Sequence, residues 1–185
     1  YYDRLVPKCV SDQGIRDVPN ATSDTWYQYG RTQALTAFIN TPKLIVGVLS
    51  KEPMYILDTN DILIASGGTA GYCAVSKKEG SPYALEYLQA WLSNPITEKI
   101  DFENGFTARG TFVLSTLPFV ELDFSDRKQK EIHDGIVAAS RRIYSINAEL
   151  MNHPAKRIAT VLLDEKNTLI HKIQGLIERV YRLEY

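Results

Sequence analysis

The chain has 185 residues, of which 44% are hydrophobic and 23% charged, a balance that excludes an intrinsically disordered chain and suffices for one good core. The net charge of -1 is unevenly distributed: residues 126–185 contain 11 Lys and Arg against 8 Asp and Glu, whereas residues 1–125 contain 10 against 14. This excludes a generically basic nucleic-acid binder in the N-terminal part, where any nucleic-acid contact would depend on a few placed cations.

The cysteine and histidine content gives no metal site. Cys9 and Cys73 are too few to hold a metal alone, and the three histidines all lie in the C-terminal third of the chain. We expect a reduced, cytoplasmic protein, because a signal peptide and a long apolar run are both absent from the sequence. The first residue is Tyr1 rather than Met, so we expect a piece of a longer protein.

An aromatic stretch, Trp26–Gln33, follows a Pro- and Asn-containing connecting segment that we place at residues 1–23. Gly30 predicts an exposed turn that presents Arg31 and Gln33. Arg takes guanine O6 and N7, and Gln takes adenine N6 and N7, with two hydrogen bonds each. The alternative interpretation is a strand whose aromatic side chains pack inward and whose polar residues are solvated.

Short apolar runs with turns between them predict four strands, at 43–49, 54–57, 62–65 and 72–75. The glycine-rich loop Ser66–Gly71 precedes the last of these strands. A dinucleotide site needs a helix directly after such a loop, so that interpretation fails. The loop backbone and Thr69 remain available to a ligand or a DNA phosphate.

One helix follows the strands. Ser81 is the predicted cap and Pro82 the first helical residue, and Asn94-Pro95 ends the helix. Its apolar face comprises Leu85, Leu88, Trp91 and Leu92. The β-prone runs 112–114 and 117–120 predict two closing strands.

Two heptad stripes dominate the last third of the chain. A helix predicted to begin at Phe124-Ser125-Asp126 has its stripe at Ile132, Ile136, Ala139, Ile143, Ile146 and Leu150. A second helix, after the break at Asn152-His153-Pro154, has its stripe at Leu162, Leu169, Ile173, Leu176, Val180 and Leu183. Together they predict an antiparallel hairpin, with His133 and His171 at its surface or edge.

The fold class that these elements predict is α+β, or mixed α/β: a compact, strand-rich globule with one central helix, followed by the helical hairpin. Residues 24–124 form the predicted globule and residues 125–185 the hairpin. Ser93-Asn94-Pro95-Ile96 lacks the second proline and the aromatic residue of an amino-methyltransferase tetrad. We therefore expect no catalytic residue, metal or cofactor in this chain.

The order of the short motifs resembles a known family. Trp26-x-x-Tyr29-Gly30-Arg31 leads to Pro42-Lys43-Leu44-Ile45, and later come Leu92-Ser93-Asn94, Arg109-Gly110 and Leu117-Pro118-Phe119-Val120. This order is similar to the C-terminal target-recognition domain of adenine-N6 DNA methyltransferases, including the fused type IIG restriction–modification enzymes. It also resembles one half of a type I restriction specificity subunit.

The resemblance implies sequence-specific recognition of double-stranded DNA, with the S-adenosylmethionine pocket and base-flipping site in a methyltransferase domain before Tyr1. The DNA-contact candidates that it implies are Arg31, Gln33, Lys43, Thr69, Tyr72, Thr107 and Arg109. For Tyr72, as for Trp26 and Tyr29, core packing is the favoured alternative, and a salt bridge is the alternative for Arg31 and Arg109.

Three functions remain open. The first is the recognition module of a type II restriction–modification enzyme, and the second is half of a type I specificity subunit whose helices dock methylation subunits. The third is a protein-interaction module in which the aromatic residues and heptads form a partner surface without DNA. Convergence of Arg31, Lys43, Thr69 and Arg109 on one concave face would favour the first two.

Overall fold

The computed structural model describes residues 4, 6–14, 21–25, 38–48, 54–62, 71–103 and 111–182. Within these ranges lie three strands and five helices, in the order β1 (Lys43–Gly47), β2 (Tyr55–Asp58), β3 (Tyr72–Ser76), α1 (Leu85–Leu92), α2 (Pro95–Glu103), α3 (Thr111–Thr116), α4 (Arg127–Met151) and α5 (Lys156–Tyr181). The fold is α+β, as predicted. The expectation of one central helix is wrong, because α1, α2 and α3 all precede the hairpin.

The three strands form an antiparallel sheet with β1 in the centre. Three of the predicted strands are confirmed, and the fourth, apart from Ile62, lies outside the described residues. Alternation divides the sheet into two faces. Leu44 and Val46 of β1 point into the core with Tyr55 and Cys73, so this face receives the helices.

Helix α1 begins at Leu85, three residues later than Ser81-Pro82 predicts. Ala84 occupies the cap position without a side-chain hydrogen bond, and its N–H donates instead to His133 Nε2 at 3.2 Å. The hydroxyl of Tyr83 accepts a hydrogen bond from Leu122 N at 2.6 Å. The capping prediction is therefore wrong, because tertiary hydrogen bonds hold this segment.

Asn94-Pro95 ends α1 as predicted, and it also begins α2. Asn94 Oδ1 accepts from Ile96 N at 2.9 Å, and Pro95 occupies the first helical position, where its missing N–H costs nothing. The side chain of Thr97 donates to Trp91 O at 2.9 Å, which fixes the angle between the two helices.

The two predicted closing strands are wrong. Residues 111–116 form α3, and residues 117–120 have no regular structure. Val113 of α3 is buried, and so is Leu117, directly after the helix. Burial of this pair overrides the β-propensity of the local sequence.

The predicted hairpin is present as α4 and α5, joined through His153, whose backbone φ is 52°. Helix α4 begins where Phe124-Ser125-Asp126 predicts, and Asp126 caps it by accepting from Lys128 N at 2.7 Å. In the middle of the hairpin, Arg142 makes two parallel hydrogen bonds to Glu165, at 2.7 and 2.8 Å.

One hydrophobic core extends through the globule and into the hairpin. It contains Leu44 and Val46 of the sheet together with Ile136 of α4 and Ile177 of α5. Polar contacts cross the same boundary. Gln89 Nε2 donates to Tyr55 O at 2.7 Å, and the Gln89 Oε1 atom accepts from the Tyr144 hydroxyl, so β2, α1 and α4 are linked.

His133 lies inside this core, so its predicted surface position is wrong. The residue is 5% exposed, and its ring packs against Tyr83, Tyr87 and Phe124, with centroids 5.0 to 6.0 Å away. Because Nε2 accepts from Ala84 N, the ring proton is on Nδ1, which is 2.9 Å from Asp134 Oδ1. His171 is exposed, as predicted.

Tyr87 provides a test of this packing. Its hydroxyl is buried and has no hydrogen-bond partner within the described chain, and burial raises the pKa of Tyr87. An unpaired buried hydroxyl costs about 1–3 kcal/mol. We expect Tyr87→Phe to raise the melting temperature measured by circular dichroism.

The matched control is Tyr83→Phe. It removes the same atom from a neighbouring ring, but there the hydroxyl accepts from Leu122 N. Loss of that acceptor should lower the melting temperature. Equal shifts of the melting temperature in the same direction for both variants would contradict the conclusion that the Tyr83 hydroxyl is hydrogen-bonded and the Tyr87 hydroxyl is not.

Candidate functional site

Two of the seven predicted contact residues, Lys43 and Tyr72, lie in the described part of the chain. Arg31, Gln33, Thr69, Thr107 and Arg109 lie outside it. The geometry of the candidate site therefore rests on the sheet and on the turns at its edges.

Lys43 is fully buried at the start of β1, with a side-chain exposure of 0%. Its ammonium lies 2.9 Å from Asp58 Oδ2 and 3.6 Å from Asp61 Oδ1, and it donates to Phe38 O at 3.2 Å. Such a group has no free surface to offer a ligand. The structure gives Lys43 a supporting role instead of a contact with DNA.

The carboxylates of this Lys43 cluster (Lys43, Asp58 and Asp61) also accept backbone hydrogen bonds. Asp58 accepts from Asn60 N and Ile62 N, both at 2.9 Å, and Asp61 Oδ1 accepts from Asn40 N at 2.7 Å. The bonds from Asn40 and to Phe38 join the turn at 38–42 to the turn at 58–62. Asn40 and Asp61 have φ values of 52° and 57°, a left-handed conformation that Asn and Asp tolerate best among non-glycine residues.

The two joined turns adjoin the predicted contact segments in sequence. Residue 38 follows the segment that contains Arg31 and Gln33, and residue 62 precedes the segment that contains Thr69. The Lys43 cluster thus fixes the chain where both segments meet the sheet. Sequence reasoning identified 58–61 only as a polar turn, and it missed Asp58 and Asp61 as partners of a buried lysine.

A cavity of about 220 Å³ adjoins the Lys43 cluster. The residues that line it are Asn40, Thr41, Pro42, Asp58, Thr59 and Asp61. The carboxylates of Asp58 and Asp61 already bind Lys43 and backbone N–H groups. Within the described ranges, no group of three or more His, Cys, Asp or Glu is arranged to hold a metal ion.

Tyr72 lies at the other end of the sheet and is 50% exposed, so the core-packing interpretation of Tyr72 is wrong. Tyr72 pairs with Gly47, whereas Lys43 pairs with Ser76, so Lys43 and Tyr72 are four residues apart along β1. At about 3.4 Å per residue this separates them by roughly 14 Å. The structure does not bring these two candidates together.

Tyr72 belongs to the sheet face opposite the core, together with Ile56, which is 46% exposed. Directly paired residues share a face, and the row next to Tyr72 comprises Ile56, Ile45 and Ala74. Cys73 takes the buried position instead, and burial raises the pKa of its thiol. The exposed ring and hydroxyl of Tyr72 therefore face solvent at a sheet edge.

A larger cleft of about 310 Å³ lies where α1 and α2 meet the hairpin. Uncharged polar side chains supply its hydrogen-bonding groups: Gln89, Ser93, Asn94, Ser140, Tyr144, Asn147 and Gln174. Its apolar walls come from Ile143 and Ile173, among others. The absence of charged side chains in this lining makes it unsuited to a phosphate or a metal ion.

Among proteins of known function, the chain is similar to the type II restriction enzyme and methyltransferase RM.Eco57I of Escherichia coli, with 42% identity over 130 residues. The match covers 67% of this chain and 13% of that protein, so the chain spans a small part of its relative. No protein-family model and no solved structure matches the chain.

The described helices include none with the length and apolar character needed to cross a membrane.

The Lys43 cluster predicts a specific dependence of stability on pH. The hydrogen bond from Lys43 lowers the pKa of Asp58. Its contribution to stability is therefore fully present above the pKa of an unfolded aspartate, about 3.9, and is lost as the pH falls through the lower folded-state pKa. Asp58→Asn should lower the melting temperature at neutral pH and flatten its decline between about pH 5 and pH 2.

The melting temperatures of the wild type and of Asp58→Asn are measured by thermal unfolding across this pH range. Asp164→Asn, at an exposed position on α5, is the matched control and should keep the wild-type pH profile. A profile for Asp58→Asn that runs parallel to the wild-type profile would refute a lowered pKa at Asp58.

Proposed function

We propose that this chain is the sequence-specific duplex-DNA recognition module of a restriction–modification adenine-N6 DNA methyltransferase. In this proposal it positions the target adenine for a catalytic domain upstream in the full-length protein. The main support is the 42% identity to a type II restriction enzyme and methyltransferase over 130 residues. This match favours the type II assignment over the type I specificity subunit.

The proposed base contacts come from the segments next to the Lys43 cluster. Arg31 and Gln33 can each make two hydrogen bonds to a base edge in the major groove, which is the geometry that distinguishes base pairs. Thr69, Thr107 and Arg109 are the further proposed contacts. The buried ion pair of Lys43 and Asp58 fixes the described turns to which the segments of Arg31, Gln33 and Thr69 connect in sequence, and base reading requires such rigid support.

Tyr72 is the proposed contact within the described chain. Its side chain is half exposed at the edge of the sheet, next to Gly71, whose carbonyl accepts from Val48 N at 2.9 Å. A tyrosine hydroxyl can donate to a phosphate oxygen or a base edge. The ring stands on a rigid strand, so little conformational freedom is lost when it binds.

The chemistry of methylation separates the role of the catalytic domain from the role of this chain. Methylation of an adenine in duplex DNA requires that the base leave the stack and enter a separate pocket. We assign that pocket, together with S-adenosylmethionine, to the upstream methyltransferase domain. This chain then binds duplex DNA in the cytoplasm and determines which adenine is presented.

The arginine assignment is tested in the full-length protein. Arg31→Ala or Arg109→Ala should reduce site-specific methylation of plasmid DNA, read by sequencing, while S-adenosylmethionine binding stays unchanged. Loss of a bidentate base contact costs about 1–3 kcal/mol, or roughly 5- to 150-fold, and relaxes preference at one position.

Arg127→Ala is the matched control, because Arg127 is exposed and, among the described residues, forms a surface pair with Glu131 at 3.3 Å. It should methylate as the wild type does. If both Arg31→Ala and Arg109→Ala modify the same sites at wild-type efficiency, the assignment of these residues is wrong.

Tyr72→Phe tests the described contact separately. We expect less methylation because the hydroxyl hydrogen bond to DNA is lost, with an unchanged melting temperature because the side chain is half exposed. Ile56→Ala, on the same sheet face but without a polar group, should leave methylation near the wild-type level. Wild-type methylation by Tyr72→Phe would exclude a role for the hydroxyl.

A further inference from the structure

A line of exposed residues runs along the second half of α5, on a different side from its buried heptad stripe. Lys172, Gly175, Arg179 and Arg182 recur at steps of three, four and three, which places them in one row on a helix. All four are exposed. We call this row the α5 cationic stripe.

The cations of the stripe are not used within the described chain. No ion pair joins Lys172, Arg179 or Arg182 to another described residue, whereas Arg141 and Arg142 of the hairpin are paired with glutamates. Glu178 is exposed and lies about 100° around the helix from Arg179 but only four residues before Arg182, to which no ion pair joins it. Toward the hairpin tip the row continues with Thr168 and Asp164, so the cationic part is the half nearest the globule.

Gly175 is a second, independent observation. Glycine in the middle of a helix is less favourable than alanine. A Cβ atom added at Gly175 would meet no atom within 4 Å, so internal packing gives no reason for it. What the glycine does provide is close approach of another backbone to the helix, between Lys172 and Arg179.

We propose that the α5 cationic stripe contacts the sugar–phosphate backbone of duplex DNA. This inference rests on the proposed function and adds to it a surface outside the predicted recognition segments. The stripe is about 15 Å long, which spans a few base pairs at 3.4 Å each. Arg forms paired hydrogen bonds with phosphate oxygens, and the gap at Gly175 admits the backbone between the cations.

The stripe contributes affinity that does not depend on sequence. Contacts to phosphates fix the position of a protein on the duplex, whereas base contacts specify the sequence. Because α5 shares the core of the globule through Ile177 and Val180, a duplex held at the stripe has a fixed relation to the sheet.

The test is the salt dependence of binding by the full-length protein to a short duplex of arbitrary sequence. Each phosphate contact contributes about 0.9 to the slope of log K against log salt concentration. The double variant Lys172→Gln/Arg179→Gln should lower the magnitude of this slope by about 2 and weaken binding. Lys156→Gln, an exposed lysine about 24 Å along α5 from Lys172, is the matched control and should bind as the wild type does.

Gly175 separates binding from folding. Gly175→Leu should raise the melting temperature, because leucine favours the helix, and at the same time weaken DNA binding by blocking close approach. Wild-type affinity and slope in the double variant, or unchanged binding by Gly175→Leu, would overturn the proposal. If the stripe instead binds an acidic partner protein, the DNA affinity and the salt slope of the variants will also equal those of the wild type.

Sequencing of the methylated sites keeps the two proposals apart. The double variant should modify the same sequence as the wild type with lower efficiency at raised salt, and a changed sequence would overturn the assignment to phosphates. If the wild-type protein shows no sequence preference, the proposed function is refuted. If the double variant still loses salt-dependent DNA binding in that case, the assignment of the α5 cationic stripe to phosphate contacts stands.

Discussion

The buried ion pair of Lys43 and Asp58 is the constraint on which the candidate site depends. A charge removed from water needs a partner and hydrogen bonds for its remaining donors and acceptors. Lys43 meets that need with Asp58, Asp61 and the carbonyl of Phe38, and the carboxylates in turn bind backbone N–H groups. Satisfying one buried ammonium thus determines the conformation of two turns at once.

The hairpin is part of the fold. Ile136 and Ile177 are 0% exposed and pack into the same core as Leu44, so the lower half of the hairpin cannot separate from the sheet without exposing that core. His133 reinforces the junction, because its ring accepts the Ala84 N–H that would otherwise be unpaired at the start of α1. Further along the hairpin, Ile146 and Leu162 are buried, and Arg142 is hydrogen-bonded to Glu165.

This shared core matters for function because it makes the sheet and the α5 cationic stripe parts of one rigid support. In the proposed function, base contacts made near the sheet select a sequence, and phosphate contacts made by α5 add affinity regardless of sequence. Under the same proposal, a chain with a net charge of -1 contacts a polyanion through a few cations, of which Lys172, Arg179 and Arg182 form no ion pair with another described residue.

The sequence by itself determined the elements whose signals are local or strictly periodic. Three strands follow from short apolar runs, the start of α4 from Phe124-Ser125-Asp126, and the hairpin from two heptad stripes. Tertiary structure decided the features that depend on residues distant in the sequence. It replaced the Ser81 cap with His133, made a helix of residues 111–116 through burial of Val113, and buried Lys43 while exposing Tyr72. No local pattern reveals these outcomes, because the atoms that satisfy each group are far away in the chain.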